Sequence, residues 1–387
     1  MMEPTVRFPE FKDSWNNYKI EDMFDRVGTP VDLDDTQTYR EIGIRSHGKG
    51  IFHKEETTAT EIGNKRVFGV EPDCFVVNIV FAWERAVAKT TEKENGMIAS
   101  HRFPMYKPKK DIVDLDYITE YFITKRGQNV LILASPGGAG RNKTLGQKEF
   151  AKSVIKLPSL PEQQKIAEFI STIDTVIEKQ KETVSAWEER KKGMMQKLFS
   201  QEVRFKADDG SEFPDWEKKK LEDVVEFLDG QRKPLEAGQR VSGKYPYYGA
   251  SGIIDYVEDY IFDEELILLS EDGANILDRN YRVCFLAKGK YWVNNHAHVL
   301  RAMDGNVNGF ICEQLESFDY RKYNSGGAQP KLNQATCRSI IMNIPCIAEQ
   351  QKIADCLSSL DEVIEKQKAT LAAWEELKKG LLQQMFV

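Results

Sequence analysis

The chain has 387 residues, enough for two or three domains that each bury a normal core. Its content of 41% hydrophobic and 30% charged residues is typical of a soluble globular protein. No apolar run approaches the roughly 18 residues of a membrane span, so we expect a cytoplasmic protein without a membrane partner. The net charge of −7 argues against DNA binding through overall charge, and local lysine and arginine clusters must supply any contact with phosphates.

Cysteine usage and the amino-terminal residues narrow the class further. The six cysteines form no Cys-x-x-Cys pair and have no metal-ligand spacing. Scattered thiols of this kind indicate a reduced, cytosolic protein, and we expect no metal ion bound by the chain. Residues 1–16 are too polar for a secretory signal peptide.

The first block, residues 1–157, mixes short apolar runs with polar turns and is predicted to be a strand-rich domain, here called the first module. The apolar runs at residues 74–81 and 130–134 are interpreted as strands. Side chains that read base edges or hold phosphates crowd its loops, although each loop is equally consistent with ordinary turn chemistry. The candidate DNA-contacting residues of the first module are Arg85, Ser100, His101, Arg102, Arg141, Asn142 and Lys143.

The segment GAGRNKT at residues 138–144 has the outline of a phosphate-binding loop, because Lys143 and Thr144 close a Gly-rich turn. A P-loop requires glycine immediately before the lysine, and Asn142 stands there instead. The chain also has no GxSxG, HExxH or GxGxxG motif and no tetrapeptide of the kind that amino-methyltransferases use to hold the target base. A nucleotide site and a self-sufficient nuclease or methylase are therefore disfavoured.

A long helix is predicted at residues 158–200, where apolar residues recur at alternating steps of four and three over about five heptads. Such a helix of about 38 residues is roughly 57 Å long and needs a partner for its apolar seam. The predicted seam residues are Ile166, Ile170, Ile173, Ile177, Gln180, Val184 and Trp187, followed by Lys191, Met194 and Leu198.

The second block, residues 201–344, repeats the plan of the first and is called the second module. KLEDVV at residues 220–225 follows the pattern of KIEDMF at residues 19–24, whereas the interiors of the two blocks diverge. Similar frames with different interiors suggest one scaffold that reads two different targets. The candidate DNA-contacting residues here are Tyr248, Ser251, Arg279, Asn280, Asn294, Asn295, His296, Gln329, Lys331 and Asn333.

Two histidines of the second module, His296 and His298, raise the question of a zinc site. They lie two residues apart, as on one face of a strand, but no third cysteine or histidine lies nearby in sequence. A zinc site needs at least three protein ligands. A structural role in a polar loop is the favoured interpretation.

The last segment, residues 345–387, repeats the long helix, because the sequence that starts at Glu162 recurs from Glu349. The economical arrangement is an antiparallel coiled coil of the two helices with a pseudo-twofold axis, and matched polar seam residues would fix its register. Parallel packing, pairing between chains, and separate helices that pack on their own domains remain alternatives. The seam residues of this copy are Ile353, Leu357, Leu360, Ile364, Gln367, Leu371 and Trp374, followed by Lys378, Leu381 and Met385.

Several motifs resemble the specificity subunits of type I restriction–modification systems. They are LPSLPEQQKIA at residues 157–167 with its partner IPCIAEQQKIA at residues 344–354, the openings RFPEF and FPDW, and the segments YPYYGASG, WVNNHAHV and SGGAQPKLN of the second block. The resemblance covers the whole chain, and the duplicated helix is its most specific part.

The resemblance implies an α+β fold with two mixed α/β target recognition domains, separated by two long helices in an antiparallel coiled coil. It implies that each domain reads one half of a bipartite site in double-stranded DNA and that the helices set the spacer. It also implies a subunit without catalysis or a cofactor of its own. Two methyltransferase subunits would use S-adenosylmethionine, and two motor-nuclease subunits would use ATP and Mg²⁺. The rival hypothesis is a coiled-coil protein-interaction adaptor that does not read DNA.

Overall fold

The computed structural model describes residues 4–137, 143–327 and 329–386. The chain folds into two compact units. The first unit comprises residues 1–180 with residues 370–387, and the second comprises residues 181–369. The predicted boundaries at residues 157, 200 and 344 follow the chain, whereas each compact unit combines one module with parts of both long helices.

The first unit contains three β-sheets around its module. An antiparallel pair joins Asn16–Lys19 to Val154–Leu157. A four-stranded sheet has the order Phe24–Val27, Met105–Pro108, Phe75–Val77 and Val87–Lys89. A five-stranded sheet has the order Thr29–Pro30, Val67–Gly69, Ile98–Ser100, Thr38–Ile44 and Ile51–Thr58. The short helices are Ile20–Met23, Ala59–Ile62, Leu115–Ile123, Lys125–Leu133 and Gln147–Lys152, with 3-10 turns at Ala82–Glu84 and Glu92–Glu94.

The second unit repeats the first two sheets and differs in the third. An antiparallel pair joins Glu217–Lys220 to Ile341–Ile344. The four-stranded sheet has the order Val225–Phe227, Ala297–Ala302, Leu266–Ser270 and Cys284–Ala287. The other sheet has the order Gly252–Val257, Ser242–Gly249, Lys290–Val293 and Phe262–Asp263. The short helices are Asn275–Asp278, Asn308–Glu316 and Gln334–Arg338, with 3-10 turns at Leu221–Asp223, Asp229–Gln231, Ala237–Gln239 and Tyr320–Tyr323.

One predicted strand is wrong, because residues 130–134 end the helix Lys125–Leu133 instead. The Thr124 hydroxyl accepts a hydrogen bond from Gly127 N–H and caps the start of this helix. Gly127 and Leu131, four residues apart, form its buried face. A short apolar run cannot distinguish a strand from a buried helix turn by periodicity, and the cap three residues before Gly127 decides it.

The two long helices run over Leu160–Phe199 and Ile347–Met385, here called the first and second long helices. Their bounds lie within two residues of the helix cores predicted from the repeat. The predicted fold class of two mixed α/β domains with two long antiparallel helices is confirmed.

The repeated motif Glu-Gln-Gln anchors the start of each long helix to its own module. Buried Glu162 accepts hydrogen bonds from Arg7 at 2.7 and 2.8 Å. Buried Glu349 accepts equivalent bonds from Arg204 at 3.1 and 2.7 Å. Charge-assisted, two-pronged bonds of this kind fix an orientation as well as a contact. The motif is repeated because the same joint is built twice.

The glutamine after each of these glutamates is also buried and ties the helix start to a neighbouring loop. Gln163 donates to the carbonyl groups of Ile112 and Pro158, and its own oxygen accepts the Asp114 N–H. Gln350 repeats the pattern, since it donates to Pro345 O and accepts the Val307 N–H. Each glutamine thus pairs backbone groups of a module loop and of the segment just before the helix, which ties the two together.

Within the first unit, the end of the second long helix packs antiparallel on the start of the first. Ile166 and Ile170 share a hydrophobic cluster with Met385 and Phe386, and the Phe386 ring stacks on Tyr117 with 5.0 Å between centroids. The carbonyl oxygen of Gln384 accepts the N–H groups of Thr5 and Val6.

The second unit is built in the same way. The end of the first long helix contributes Leu198 to the cluster that contains Ile353 and Leu357. The neighbouring ring of Phe199 lies 5.9 Å from that of Phe310. Here the Lys197 carbonyl accepts the Val203 N–H.

The predicted seam residues of both helices are buried or half-buried in the structure. The fully buried ones are Ile166, Ile170, Ile173, Ile177, Val184, Ile353, Leu357 and Ile364, and the half-buried ones are Gln180, Trp187, Leu360, Gln367, Leu371 and Trp374. No helix among the described residues has the length and apolar character that a membrane crossing requires.

Candidate nucleic-acid interface

In the second module, several loops meet at one end of the four-stranded sheet, where the inner strand Leu266–Ser270 ends. This end of the strands is called the edge below. The Glu271 N–H donates to the His296 carbonyl at 2.9 Å, and the Glu271 carbonyl accepts the Leu332 N–H at 2.8 Å. The Gly273 N–H donates to Pro330 O at 3.0 Å. These bonds bring residues 271–273, His296 and the segment at residues 330–332 into one surface.

Acidic side chains hold the cations of this loop surface. Glu271 accepts a hydrogen bond from Arg232 at 2.7 Å and lies 3.5 Å from the Lys331 ammonium. Asp272 lies 2.9 Å from His296 Nδ1. The surface is therefore polar and partly neutralised by its own carboxylates, which weakens its attraction for a phosphate backbone.

A charged pair underlies this surface. Buried His298 lies 2.7 Å from Asp229 through Nδ1, and its Nε2 donates to the Leu332 carbonyl at 2.8 Å. Burial opposes the charged imidazole, but its bond to Asp229 prevails and raises the pKa of His298 to about 10. Asp229 also accepts bonds from Val299 N–H and Gln334. The pair fastens the loop that contains Leu332 to the sheet.

The predicted candidates of the second module fall into two groups. Ser251, Arg279, Asn280, Asn295, His296, Gln329 and Lys331 are exposed, whereas Tyr248 and Asn333 are half-buried and Asn294 is buried.

The less exposed candidates support the loops. Asn294 accepts the His296 N–H at 2.8 Å, and Asn333 accepts the Thr336 N–H and starts the helix Gln334–Arg338. Tyr248 packs between the rings of Phe285 and Tyr291. Of the exposed residues, Arg279 bonds to Glu316 at 3.0 Å. The other exposed residues present the surface that is open to a ligand.

The first module builds the same edge with the same backbone bonds. The Ile79 N–H donates to the Arg102 carbonyl at 3.0 Å, and the Ile79 carbonyl accepts the Leu145 N–H at 2.8 Å. Arg102 therefore occupies the place of His296, and Ile79 that of Glu271. His101 and Arg102 are exposed and Ser100 is half-buried.

The remaining candidates of the first module differ in their surroundings. Arg85 is half-buried, has a positive φ of 60°, and donates to the Ile123 carbonyl at 3.2 Å, so it braces the turn after Ala82–Glu84. The Lys143 ammonium lies 6.0 Å from the centre of the Trp83 ring. Arg141 and Asn142 lie outside the described residues.

A cavity of about 180 Å³ in the first module occupies the position that the Asp229–His298 pair fills in the second. By the matching strand registers, Gly28 stands at the place of Asp229 and Pro104 at that of His298. Phe68, His101 and Phe103 contribute to the lining. The two modules therefore differ in side chains where the shared frame meets the candidate surface, as well as in their third sheets.

Sequence analysis missed the residues that hold the second surface together, namely Asp229, Glu271 and Asp272. Aligning the two modules on their repeated motifs would have placed Asp229 opposite Gly28. That alignment does not reveal which cation each carboxylate meets. Among the residues that the structure describes, no group of three or more His, Cys, Asp or Glu could hold a metal ion, and His298 is committed to Asp229 and Leu332.

A family model described as the type I restriction modification DNA specificity domain matches residues 12–185 and 214–373. A Haemophilus influenzae protein that carries the name of a type I restriction enzyme specificity subunit is 37% identical over 152 residues, 39% of this chain and 38% of that protein. A type I restriction enzyme specificity subunit of Methanocaldococcus jannaschii is 28% identical over 274 residues, 61% of this chain and 62% of that protein. The chain thus aligns with less than two thirds of either relative.

A solved structure is similar over the full length of the chain. The S subunit of a type I restriction–modification system from M. genitalium superimposes with a TM-score of 0.63 at 15% identity, covering 100% of this chain and 99% of that one. At this identity the likeness concerns the fold, which is a tandem of two modules and two long helices.

Proposed function

This chain belongs to the type I restriction–modification DNA specificity family, and we propose that each of its modules reads one half of a bipartite site in double-stranded DNA. The observation that carries the proposal is the shared frame with different edges. Identical backbone bonds place Arg102 and His296 at equivalent positions, yet the side chains that surround them differ throughout. One frame with two surfaces suits the recognition of two different half-sites.

The two long helices would set the distance between the half-sites. The first long helix has 40 residues, which corresponds to about 60 Å at 1.5 Å per residue. A spacer of this size suits grooves one to one and a half turns of DNA apart, at roughly 34 Å per turn. We expect a fixed gap of unread base pairs between the half-sites.

The chain would act without catalysis of its own and within a complex. Methyltransferase subunits would supply S-adenosylmethionine chemistry on adenine, and motor-nuclease subunits would use ATP and Mg²⁺. Glu271 neutralises Arg232 and Lys331 on the second surface, which predicts weak binding of DNA by the chain alone. Basic surfaces of the partner subunits would then contribute much of the affinity.

Methylation mapping tests the proposal directly. The chain is co-expressed with its cognate methyltransferase, and modified adenines are mapped across the host genome. The expected result is a single bipartite motif with a fixed gap. The matched variants His101→Ala with Arg102→Ala, in the first module only, are expected to relax one half of the motif and to leave the other half unchanged.

Two outcomes would contradict the proposal. Methylation without a bipartite motif would remove the role of the two modules as readers. DNA binding by the complex that is insensitive to salt and to competitor sequence would favour a protein-interaction adaptor. Gel-shift titration of the chain with and without methyltransferase measures how much affinity the partner contributes.

A further inference from the structure

A buried lysine of the first long helix is surrounded by charged partners in the second unit. Lys191 donates to Asp361 of the second long helix at 2.6 Å and to Glu313 of the module at 3.2 Å. Its side chain is only 9% exposed. Arg282 contacts both carboxylates, at 2.5 Å from Glu313 and 3.4 Å from Asp361. This lysine thus joins one long helix to the other and both helices to the module.

The first unit contains the same arrangement with the helices exchanged. Lys378 of the second long helix donates to Asp174 of the first long helix at 2.8 Å. It also lies 3.7 Å from Glu120 of the module. Lys378 and Lys191 occupy the same place in the repeated helix sequence, and so do Asp174 and Asp361. The cluster is therefore built twice, once in each unit.

We propose that these two clusters, Lys191–Asp361–Glu313 and Lys378–Asp174–Glu120, fix the heptad register of the long helices and their seating on the modules. The six residues are positioning residues. The proposal rests on the function proposed above, because the register of the helices would determine the distance between half-sites.

The apolar seam by itself does not define the register. Ile166 and Ile173 are one heptad apart, as are Ile170 and Ile177, and all four are apolar and buried. If one helix slipped by seven residues, apolar side chains would still face apolar side chains. Regular seams of this kind tolerate slippage unless a polar residue opposes it.

The lysines oppose a slip in both directions. A shift of seven residues would place Lys378 opposite Ala167 or Lys181 instead of Asp174. The same shift would place Lys191 opposite Ala354 or Lys368 instead of Asp361. One direction leaves each ammonium without its aspartate, and the other brings two cations together. The cost is larger for Lys191, whose side chain is 9% exposed, than for Lys378, whose side chain is 21% exposed.

Methionine at both lysines removes the charge and keeps an apolar side chain of similar length. Because both lysines act on the same pair of helices, the test uses the full-length double variant Lys191→Met with Lys378→Met. Paramagnetic labels at exposed Ala186 and Ser358, both in the second unit, report the distance between the helices by pulsed electron resonance. A slip by one heptad moves one label past the other by about 10 Å along the helix.

The expected result is one narrow distance distribution in the unsubstituted chain and a second population in the double methionine variant. Lys191→Arg with Lys378→Arg should keep the single population. The control is Lys197→Met with Lys379→Met, which removes two exposed lysines of the same helices that pair with Glu202 and Glu376. A single narrow population in the double methionine variant would overturn the proposal.

If the double methionine variant fails to fold, the double variant Asp174→Asn with Asp361→Asn applies the same test, because it removes the carboxylate partners of both lysines. In the complex with methyltransferase, register loss should lower the preference for the native half-site gap over a longer gap by about tenfold or more. The label distances need no DNA, so failure of the register proposal is distinguishable from failure of DNA recognition. If the unsubstituted complex shows no bipartite site, only the proposed function is contradicted.

Discussion

The two modules share a frame but differ at one corner of it. In the second module Asp229 and His298 form a buried charged pair that fastens the loop around Leu332 to the sheet. In the first module Gly28 and Pro104 occupy the same positions and leave a cavity of about 180 Å³. Backbone hydrogen bonds thus fix the frame in both cases, and the buried charged pair adds a side-chain brace to the loop of the second module.

This difference separates what the duplication preserved from what it changed. The joints between module and helix are retained in both halves, as Arg7–Glu162 and Arg204–Glu349 demonstrate. The backbone bonds of the edge that carries the candidate surface are also retained, but its side chains are not. Duplication has thus kept the attachment of each module to its long helix and changed the side chains at the edge of each module.

Removing the anion of the buried pair should have the largest effect. Asp229→Ala removes the carboxylate that stabilises protonated, buried His298 and that accepts the Val299 N–H, so we expect the local free energy of unfolding of the second module to fall by about 3–5 kcal/mol. Amide hydrogen exchange in the strand Ala297–Ala302 measures this local free energy of unfolding, because exchange reports on each module separately.

The matched control is the exposed pair of Asp272 and His296, which has nearly the same separation of 2.9 Å. Asp272→Ala should change stability by less than about 1 kcal/mol, since exposed ion pairs contribute little. Equal effects of the two substitutions would show that burial of the Asp229–His298 pair is irrelevant. Exchange in the strand Met105–Pro108 of the first module should remain unchanged in both variants.

The same pair predicts a difference in pH dependence between the modules. Because folding raises the pKa of His298 to about 10, its stabilisation is complete below about pH 6.5 and is lost as the pH rises through about 10. Each pH unit in this window should cost the second module about 1.4 kcal/mol. The first module has Pro104 at this position and should lack the slope.

Hydrogen exchange between pH 7 and 9.5, corrected for intrinsic rates, tests this in one experiment on both modules. His298→Gln should remove the slope from the second module. A slope of the same size in both modules would place its origin in groups other than the pair.

The repeat was sufficient to predict the architecture. Two long helices and two mixed domains follow from the duplicated sequence and from the heptad spacing of Ile166, Ile170 and their successors. The periodicity failed at residues 130–134, where a short apolar run had no sequence signal strong enough to separate a strand from a helix. The cap at Thr124, which decides the matter, lies outside that run.

The candidate surface was less accessible to sequence reasoning. Exposed polar residues in loops, such as Arg102 and His296, could be selected by type, and the structure places them at equivalent positions. Their partners could not be selected, because Glu271 and Asp272 meet cations that are distant in sequence. Asn294 illustrates the limit, since its side chain type suits base reading but its burial and its bond to His296 N–H assign it to loop support.

The charged clusters of the long helices differ in their number of cations. Removing the module glutamate from each cluster should therefore lower stability by different, intermediate amounts. Glu313 faces two cations, Lys191 and Arg282, whereas Glu120 lies 3.7 Å from Lys378. Burial raises the pKa of Glu120, so burial disfavours the charged carboxylate there relative to a carboxylate in water. Glu313→Gln should therefore cost about 2–3 kcal/mol, and Glu120→Gln less than about 1 kcal/mol.

Denaturant unfolding followed by hydrogen exchange in the helices Asn308–Glu316 and Leu115–Ile123 distinguishes the two variants. Similar losses of stability in the Glu313→Gln and Glu120→Gln variants would mean that Arg282 does not stabilise the charged form of Glu313. A gain in stability for Glu120→Gln would strengthen the contrast, because a neutral amide removes a buried charge that Lys378 compensates only at a distance.

The smallest expected effect is on the salt dependence of DNA affinity, and it concerns the equivalent surface residues Arg102 and His296. Arg102 is exposed and always charged, so Arg102→Ala should remove about one phosphate contact and make the slope of log affinity against log salt shallower by about 0.9. His296 is paired with Asp272, and the pair has little net attraction for phosphate, so His296→Ala should leave the slope nearly unchanged. DNA titrations of the complex with methyltransferase at four salt concentrations measure both slopes. Equal changes for the two variants would mean that Asp272 releases His296 on binding, and the two surfaces would then contact DNA in the same way despite their different bracing.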